Sequence, residues 1–235
     1  MGKSTVEEIR TRFDADVERF SNLETGQTAA MDSALCLELV AQAASGATPG
    51  ARRVLDVGCG AGNFTLRLRG LMPVSEVTLV DLSPRMLERA SERLTGAGMN
   101  CETVQGDVRA IEFPDESFDV ILAGAVLHHL RTETEWRESF GRLFRSLRRG
   151  GSFWIFDMVS HEIEAVGELQ RARYASYLRE FGGEEYAAKV FGYIEKEDTP
   201  MPLTFQLELL RQSGFTRIDV LHKNAAFAAF GGMRE

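Results

Sequence analysis

The residues best suited to chemistry stand in a glycine-rich stretch, residues 53–64, that reads RVLDVGCGAGNF. Asp56 in this stretch precedes three glycines at alternate positions: Gly58, Gly60 and Gly62. Glycine tolerates positive φ and leaves the backbone bare, so a ligand can touch the N–H groups of such a turn and of the helix after it. We predict a buried strand ending near Asp56, a turn that holds a small-molecule cofactor, and a helix from Phe64 to Arg69.

The glycine spacing indicates which cofactor the turn would hold. A dinucleotide-binding turn needs a third glycine where Asn63 stands, so the pattern argues against a pyrophosphate. The carboxylate of Asp56, two positions before the first glycine, would repel a pyrophosphate but suits a ligand with ammonium and sulfonium charges. The stretch therefore favours a cationic cofactor.

Two later strands are also predicted to end in acids. Residues 76–81 form an apolar run that closes on Asp81, and residues 101–108 include Asp107 near their end. Open parallel sheets bind ligands at the carboxyl ends of their strands, so these two acids and Asp56 should face one cleft. A carboxylate at such a strand end can accept both hydroxyls of a ribose.

A fourth stretch, residues 118–130, reads FDVILAGAVLHHL and predicts an apolar strand followed by a loop. The four stretches, in this order, resemble the motifs of class I S-adenosylmethionine-dependent methyltransferases. The resemblance implies an α/β, Rossmann-like fold with a seven-stranded mixed sheet of order 3-2-1-4-5-7-6, strand seven antiparallel, and helices on both faces. It also implies S-adenosylmethionine as cofactor, S-adenosylhomocysteine as product, no metal, and in-line methyl transfer to a small-molecule acceptor.

The resemblance assigns roles to several residues. Asp81 would accept the ribose hydroxyls, Asp107 the adenine amino group, and the N–H of Val108 would meet a ring nitrogen. His128 falls near the methyl group and is our catalytic candidate, although Asp157, His161 and several tyrosines remain open as bases. The predicted cofactor-binding residues are Gln27, Asp56, Gly58, Cys59, Gly60, Gly62, Asp81, Leu82, Met86, Asp107, Val108, Ala123 and Gly124.

The remaining chain divides into flanking pieces around this domain. Residues 1–50 predict two helices, 6–20 and 28–44, joined by a polar link that is either an ordinary turn or a lid with Gln27 and Thr28 facing the pocket. Residues 51–157 and 203–235 are predicted to form the cofactor-binding domain. Residues 158–202 are too long for a simple connection and predict a helical cap, which would roof the acceptor site or form a homodimer surface.

Composition and charge disfavour nucleic acid, zinc and membranes as partners. The 235 residues carry a net charge of −8, which disfavours nucleic acid as a partner, apart from five arginines near residues 137–149 that could form a solvated face or contact RNA. The three cysteines are far apart in sequence, which favours a reducing compartment and no zinc site. No apolar run approaches the ~20 residues of a membrane span, so we expect a cytoplasmic protein without membrane contact.

Other functions remain open at this stage. The early Phe13-Asp14 pair, the cap and the Phe-rich last strand resemble the carboxy-S-adenosylmethionine synthase branch, which acts in tRNA wobble-uridine modification. That branch should carry a Lys-Arg pair where this chain has Ala187-Ala188-Lys189-Val190, so unmodified S-adenosylmethionine is favoured. A non-catalytic cofactor-binding module is a further alternative. Base methylation by flipping is disfavoured because residues 123–126, Ala-Gly-Ala-Val, lack the polar motif that such enzymes carry.

Overall fold

Within residues 2–22 and 28–235, which are the residues that the computed structural model describes, seven strands form one sheet. The order is β3-β2-β1-β4-β5-β7-β6, and β7 is antiparallel to both of its neighbours, so the predicted topology is confirmed. The strands are β1 (Arg53–Val57), β2 (Glu76–Asp81), β3 (Asn100–Gln105), β4 (Phe118–Gly124), β5 (Leu147–Met158), β6 (Arg217–Asn224) and β7 (Phe227–Met233).

Eight described helices surround this sheet. They are α1 (Val6–Ala15), α2 (Val17–Ser21), α3 (Ser33–Ala47), α4 (Asn63–Arg69), α5 (Pro84–Gly96), α6 (Glu133–Ser146), α7 (Glu164–Glu197) and α8 (Leu203–Ser213), with a 3₁₀ turn at Leu127–His129. Polar caps set several starts: the Ser83 side chain accepts from the Met86 N–H ahead of Pro84, and Thr132 caps α6 through the Glu135 N–H. None of the described helices combines the length and apolarity needed to cross a bilayer.

The two faces of the sheet bury separate cores because side chains alternate along each strand. Val54 of β1 packs with α3, α4 and α5, whereas its neighbours Leu55 and Val57 pack on the other face with α6 and α8. The parallel register places Val57 beside Val80 of β2 and Ala123 of β4, so the carboxyl ends of these three strands lie level with one another. Loops that leave those ends therefore meet at one edge.

The structure shifts two predicted boundaries at the N-terminal side. The predicted helix 6–20 is interrupted at Asp16, which caps the short α2, and the predicted helix 28–44 begins only at Ser33. Asp32 takes a left-handed conformation with φ 56°, which ends any helix before it, and its carboxylate accepts hydrogen bonds from Asn224 and His222.

Two further boundaries differ. Strand β3 ends at Gln105 rather than at residue 108, because β2 ends at Asp81 and its last carbonyl accepts the Gly106 N–H. Asp107 therefore lies in the loop after the strand. The predicted helical cap is the 34-residue α7, in which Gly183 at φ 81° is a non-helical break between two helical segments.

The β5–β7 pairing leaves no room for a side chain at Gly231, and this gives a first prediction. A Cβ atom there would lie 2.2 Å from the Phe153 carbonyl oxygen and 2.5 Å from Trp154. We expect Gly231→Ala to lower the free energy of unfolding by about 2 kcal/mol or more, because the strands must separate to admit the methyl group. Urea denaturation followed by circular dichroism measures the change.

Gly192→Ala is the matched control. Gly192 lies in α7, and a Cβ there would meet nothing within 4 Å. This variant should gain about 0.5–1 kcal/mol from helix propensity. If Gly231→Ala unfolds at the same urea concentration as the wild type, the close approach of β5 and β7 is not a constraint on this fold.

Candidate functional site

The glycine turn after β1 uses its glycines in two ways. Gly58, Gly60 and Gly62 all have positive φ, at 64°, 49° and 79°. A Cβ at Gly58 would lie 2.4 Å from Val126, and one at Gly62 would lie 2.6 Å from Leu94, so these two positions serve packing. A Cβ at Gly60 would meet nothing within 4 Å, because Gly60 borders an open cavity. Gly60 is thus the glycine where the bare backbone is accessible to a ligand.

Asp81 at the end of β2 is hydrogen-bonded to this turn. Its Oδ2 accepts the Gly60 N–H at 2.9 Å, and its Oδ1 accepts the Ser83 N–H at 2.9 Å. Burial raises the pKa of Asp81 to about 6, even though these hydrogen bonds favour the ionised form. Asp81 lines the cavity, and a carboxylate has lone pairs to spare beyond two such bonds, so it can accept ligand hydroxyls.

Asp56 lies beneath the turn rather than beside the cavity. Its side chain is buried, and its Oδ2 accepts a hydrogen bond from the Thr65 hydroxyl at 2.7 Å. Burial raises its pKa to about 7, and the neighbouring charge of Asp81 adds to the shift. In this arrangement Asp56 holds the start of α4 against β1.

Asp107 lines the cavity together with Gly106 and Val108. Its carboxylate is paired with the guanidinium of Arg109, whose Nε lies 2.9 Å from Oδ1, and it also accepts the Arg109 backbone N–H. Burial raises the pKa of Asp107, but the hydrogen bonds and charge of Arg109 outweigh burial and hold that pKa below its ordinary value. Sequence reasoning missed Arg109, although a cation two residues after a strand-end acid is a readable signal.

The other predicted cofactor residues divide by position. Those that line the cavity are Cys59, Leu82, Met86 and Gly124. Ala123 is 2% exposed and packs in the core on the α6 side of the sheet. A Cβ at Gly124 would lie 2.4 Å from the Phe64 ring, so this glycine leaves space for that ring at the cavity wall. Gln27 lies outside the described residues.

The N-terminal helices cover the cavity, which holds about 980 Å³ of empty space including its mouth. Ile9 and Phe13 of α1 and Phe20 of α2 contribute apolar lining. The Ser83 hydroxyl donates to Asp14 at 2.5 Å, and the Asn63 side chain donates to the Phe20 carbonyl at 2.9 Å, which ties both helices to the wall of the cavity. An apolar lining with a few polar groups suits a small organic ligand.

The two histidines of the 3₁₀ turn have different surroundings. His128 does not line the cavity: its Nδ1 faces the buried Asp157 carboxylate, which also accepts the His128 backbone N–H at 3.1 Å. Burial would lower the pKa of His128, but the charges of Asp157 and Asp198 outweigh burial and raise it to about 9. A catalytic role for His128 stays a prediction.

His129 lines the cavity, and sequence reasoning did not select it. Its ring meets Phe13 edge-on at a centroid distance of 5.9 Å, and its Nδ1 lies 3.3 Å from an Asp198 oxygen. Burial, followed by the charge of His128, lowers its pKa well below 6.5. The Leu-His-His sequence indicates a special turn, but the sequence alone does not say which ring faces the ligand.

The cap helix α7 contributes no residue to the lining of this cavity. Its tyrosines instead hold the segment before α3: the Tyr174 hydroxyl donates to the Ala29 carbonyl and the Tyr177 hydroxyl to the Thr28 carbonyl, both at 2.7 Å. The C-terminal end of α7 holds α1 through an ion pair between Arg12 and Glu197. Control of acceptor access and dimer formation by the cap stay predictions.

The five arginines near α6 all have partners in the chain. Arg142 donates to the carbonyls of Val108 and Arg109, at 3.3 and 2.7 Å, and Arg148 pairs with Asp119 at 3.2 Å. The others lie near Glu133 for Arg137, Asp115 for Arg145 and the Glu235 carbonyl for Arg149. The contacts of Arg142 and Arg148 are structural, those of the other three are exposed, and an absence of nucleic-acid binding stays a prediction.

Comparison with known proteins agrees with this geometry. Residues 54–151 match a family described as a methyltransferase domain. A demethylmenaquinone methyltransferase from Thermus thermophilus is 27% identical over 56% of this chain and 59% of its own, and one from Listeria monocytogenes is 26% identical over 77% and 78%. Methyltransferase YcgJ of Bacillus subtilis is 33% identical over 58% of this chain and 54% of its own. The first and third matches thus span less than two thirds of those relatives.

Solved structures share the fold. The YcgJ structure covers 80% of this chain and 70% of its own with a TM-score of 0.58 and 23% identity. A methyltransferase structure from Thermotoga maritima covers 98% and 100% with a TM-score of 0.62 and 21% identity. Family match, strand order and glycine turn agree: residues 54–151 match a methyltransferase domain, and the chain shares the fold of these solved structures.

Proposed function

We propose that this protein transfers the methyl group of S-adenosylmethionine to an apolar or aromatic small-molecule acceptor. The observation that carries the proposal is the meeting of Gly60, whose bare backbone borders the cavity, with the Asp81 carboxylate at the neighbouring strand end. This pairing supplies a close-approach backbone surface and a hydroxyl acceptor side by side. Both are features that an adenosine-containing cation requires.

The residues present fit such a cofactor. Asp81 would hold the ribose hydroxyls, the apolar side chains of Leu82 and Met86 would cover the adenine, and the backbone at Gly60 would meet the amino-acid end. The pairing of Asp107 with Arg109 leaves the Val108 N–H as the simpler partner for the base. When bound, S-adenosylmethionine supplies an already activated methyl group, so the protein mainly aligns the acceptor and excludes water.

The lining of the cavity supports an apolar or aromatic acceptor. Phe13, Phe20, Phe64 and Leu130 give it an apolar, largely aromatic wall. The names of the Thermus and Listeria relatives specify demethylmenaquinone, a quinone, as their acceptor. An aromatic or quinone-like acceptor for this chain is consistent with both.

The alternative functions have less support. The stretch that would hold a carboxylated cofactor does not reach the cavity: Ala187 is buried in the core, and the Lys189 ammonium lies 5.9 Å from the Tyr193 ring centroid. A non-catalytic cofactor-binding module would show affinity without turnover, which the first experiment below detects.

The first test is calorimetry of the purified protein with S-adenosylhomocysteine and with NAD. We expect S-adenosylhomocysteine to bind and NAD not to bind, because the turn lacks the third glycine that a pyrophosphate requires. Incubation with S-adenosylmethionine and a set of quinones, phenols and aliphatic acids should then release S-adenosylhomocysteine with a quinone or a phenol and not with the aliphatic acids. Tight NAD binding would overturn the cofactor assignment, and binding without turnover on any acceptor would favour the non-catalytic module.

A second test replaces the strand-end acid. Asp81→Asn removes the negative charge that we expect to accept the ribose hydroxyls, and charge-assisted hydrogen bonds contribute about 1.5–3 kcal/mol each. The dissociation constant of S-adenosylhomocysteine should therefore rise at least about tenfold. Because the pKa of Asp81 is raised to about 6, wild-type affinity should also fall as the pH drops through that value and Asp81 becomes protonated.

Asp119→Asn is its matched control. Asp119 also accepts backbone N–H groups, those of Arg52 and Arg53 at 2.9 Å, but lies near the start of β4, away from the cavity. This variant should keep wild-type affinity. An equal loss in both variants would mean that the effect arises from stability, and no loss in Asp81→Asn would place the ribose elsewhere.

A third test asks which element covers the cofactor. Phe13→Ala should raise the dissociation rate of S-adenosylhomocysteine roughly tenfold, because α1 then loses its largest apolar contact over the cavity. Phe181→Ala, on the exposed side of the cap, where Phe181 is 52% exposed, should leave that rate unchanged. Stopped-flow fluorescence measures both. The reverse result would show that the cap, and not the N-terminal helix, covers the cofactor.

A further inference from the structure

A cluster of metal-ligating side chains lies beside the proposed methyl-transfer cavity. His128 and His129 come from the 3₁₀ turn after β4, and Asp198 caps the C-terminal end of α7. The Thr199 N–H donates to the His128 carbonyl at 2.7 Å and fastens the end of α7 to this turn. Among the described residues, this is the only group of three or more His, Cys, Asp or Glu side chains whose ligand atoms all lie within 4.8 Å of one another.

The donor atoms of this cluster converge without bonding to each other. His128 directs Nδ1 to Asp157, which leaves Nε2 facing an Asp198 oxygen at 3.7 Å, beyond hydrogen-bond distance. The Nδ1 of His129 lies 3.3 Å from the same oxygen, is inaccessible to solvent and has no hydrogen-bond partner. Two imidazole nitrogens thus lie close to one carboxylate oxygen, an arrangement in which a single cation could be bound by all three side chains.

The residues around His128 resemble those that orient a metal-ligating histidine. A ligating histidine commonly donates its second ring N–H to a carboxylate, which fixes its tautomer and orientation. Asp157 meets that description: it is fully buried, receives the Nδ1 of His128, and is itself fixed by the backbone N–H groups of His128 and Met158. The nearby guanidinium of Arg12 is paired with Glu197, so it does not leave an uncompensated positive charge at the site.

We propose that His128, His129 and Asp198 bind a divalent transition metal ion such as Zn²⁺. Two imidazoles and one carboxylate form a ligand set that zinc and iron accept with at least one position open, and magnesium, which prefers oxygen ligands, fits it poorly. His129 also lines the cavity, so the cluster lies at the cavity wall. No metal was expected from the family resemblance and the scattered cysteines; His128 and His129 are adjacent in sequence, but Asp198 is distant from them and only the fold brings it close.

The test is titration of the chelator-treated protein with Zn²⁺ by calorimetry and with Co²⁺ by visible absorption. We expect one ion per chain, with cobalt d–d bands in the visible range that report coordination directly. Asp198→Asn and His129→Ala should each weaken binding at least tenfold while leaving the thermal unfolding transition cooperative. These two variants avoid removing His128, whose loss would leave the buried Asp157 without its partner.

His161→Ala is the control for adventitious imidazole binding. His161 lies on the surface with its Nε2 3.0 Å from the Lys223 ammonium and takes no part in the cluster. This variant should bind Zn²⁺ as tightly as the wild type. The proposal is overturned if Zn²⁺ does not bind stoichiometrically, or if Asp198→Asn binds it as tightly as the wild type. In either case a proton on His128 would be what links this histidine to Asp198. Either result is independent of S-adenosylhomocysteine binding, so it does not bear on the proposed cofactor.

Discussion

The hydrogen bond from the Gly60 amide to Asp81 is the contact on which the site depends. It joins the turn after β1 to the end of β2, and the Cys59 N–H donates to the Val80 carbonyl beside it. The parallel pairing of β1 and β2 makes this contact available, because it brings Val57 level with Val80 and so places the turn next to the strand-end acid. The same edge then receives the loops after β3 and β4.

Burial of the acids at this edge of the sheet disfavours their ionised forms. Burial raises the pKa of Asp56 to about 7 and that of Asp81 to about 6, so at neutral pH the ionised forms of both are disfavoured by their surroundings. Because these pKa values lie above those of the same groups in the unfolded chain, each acid contributes less to the stability of the fold as the pH rises through its raised pKa. A cationic cofactor beside Asp81 would offset part of this cost, which gives a physical reason for a charged acid to lie within an apolar cavity.

The cap and the N-terminal helices act as one assembly over the sheet edge. Glu197, which is 4% exposed, pairs with Arg12, and the Lys196 carbonyl accepts the Ser4 N–H at 3.0 Å. Movement of the end of α7 would therefore move α1, which covers the cavity. The same end of α7 carries Asp198. One helix end therefore contacts both α1, which covers the cavity, and the two histidines of the cluster.

The sequence by itself determined the core strands and the glycine turn, because these follow from local pattern: apolar runs, glycines at alternate positions and acids where the runs end. The order of the strands was implied by the resemblance to known methyltransferases. The sequence did not determine which side chains reach the cavity. Asp56 faces Thr65 beneath the turn, and His129 rather than His128 lines the cavity. Those outcomes depend on contacts between residues far apart in the chain, such as His128 with Asp157 and Asp198, and only tertiary packing brings them together.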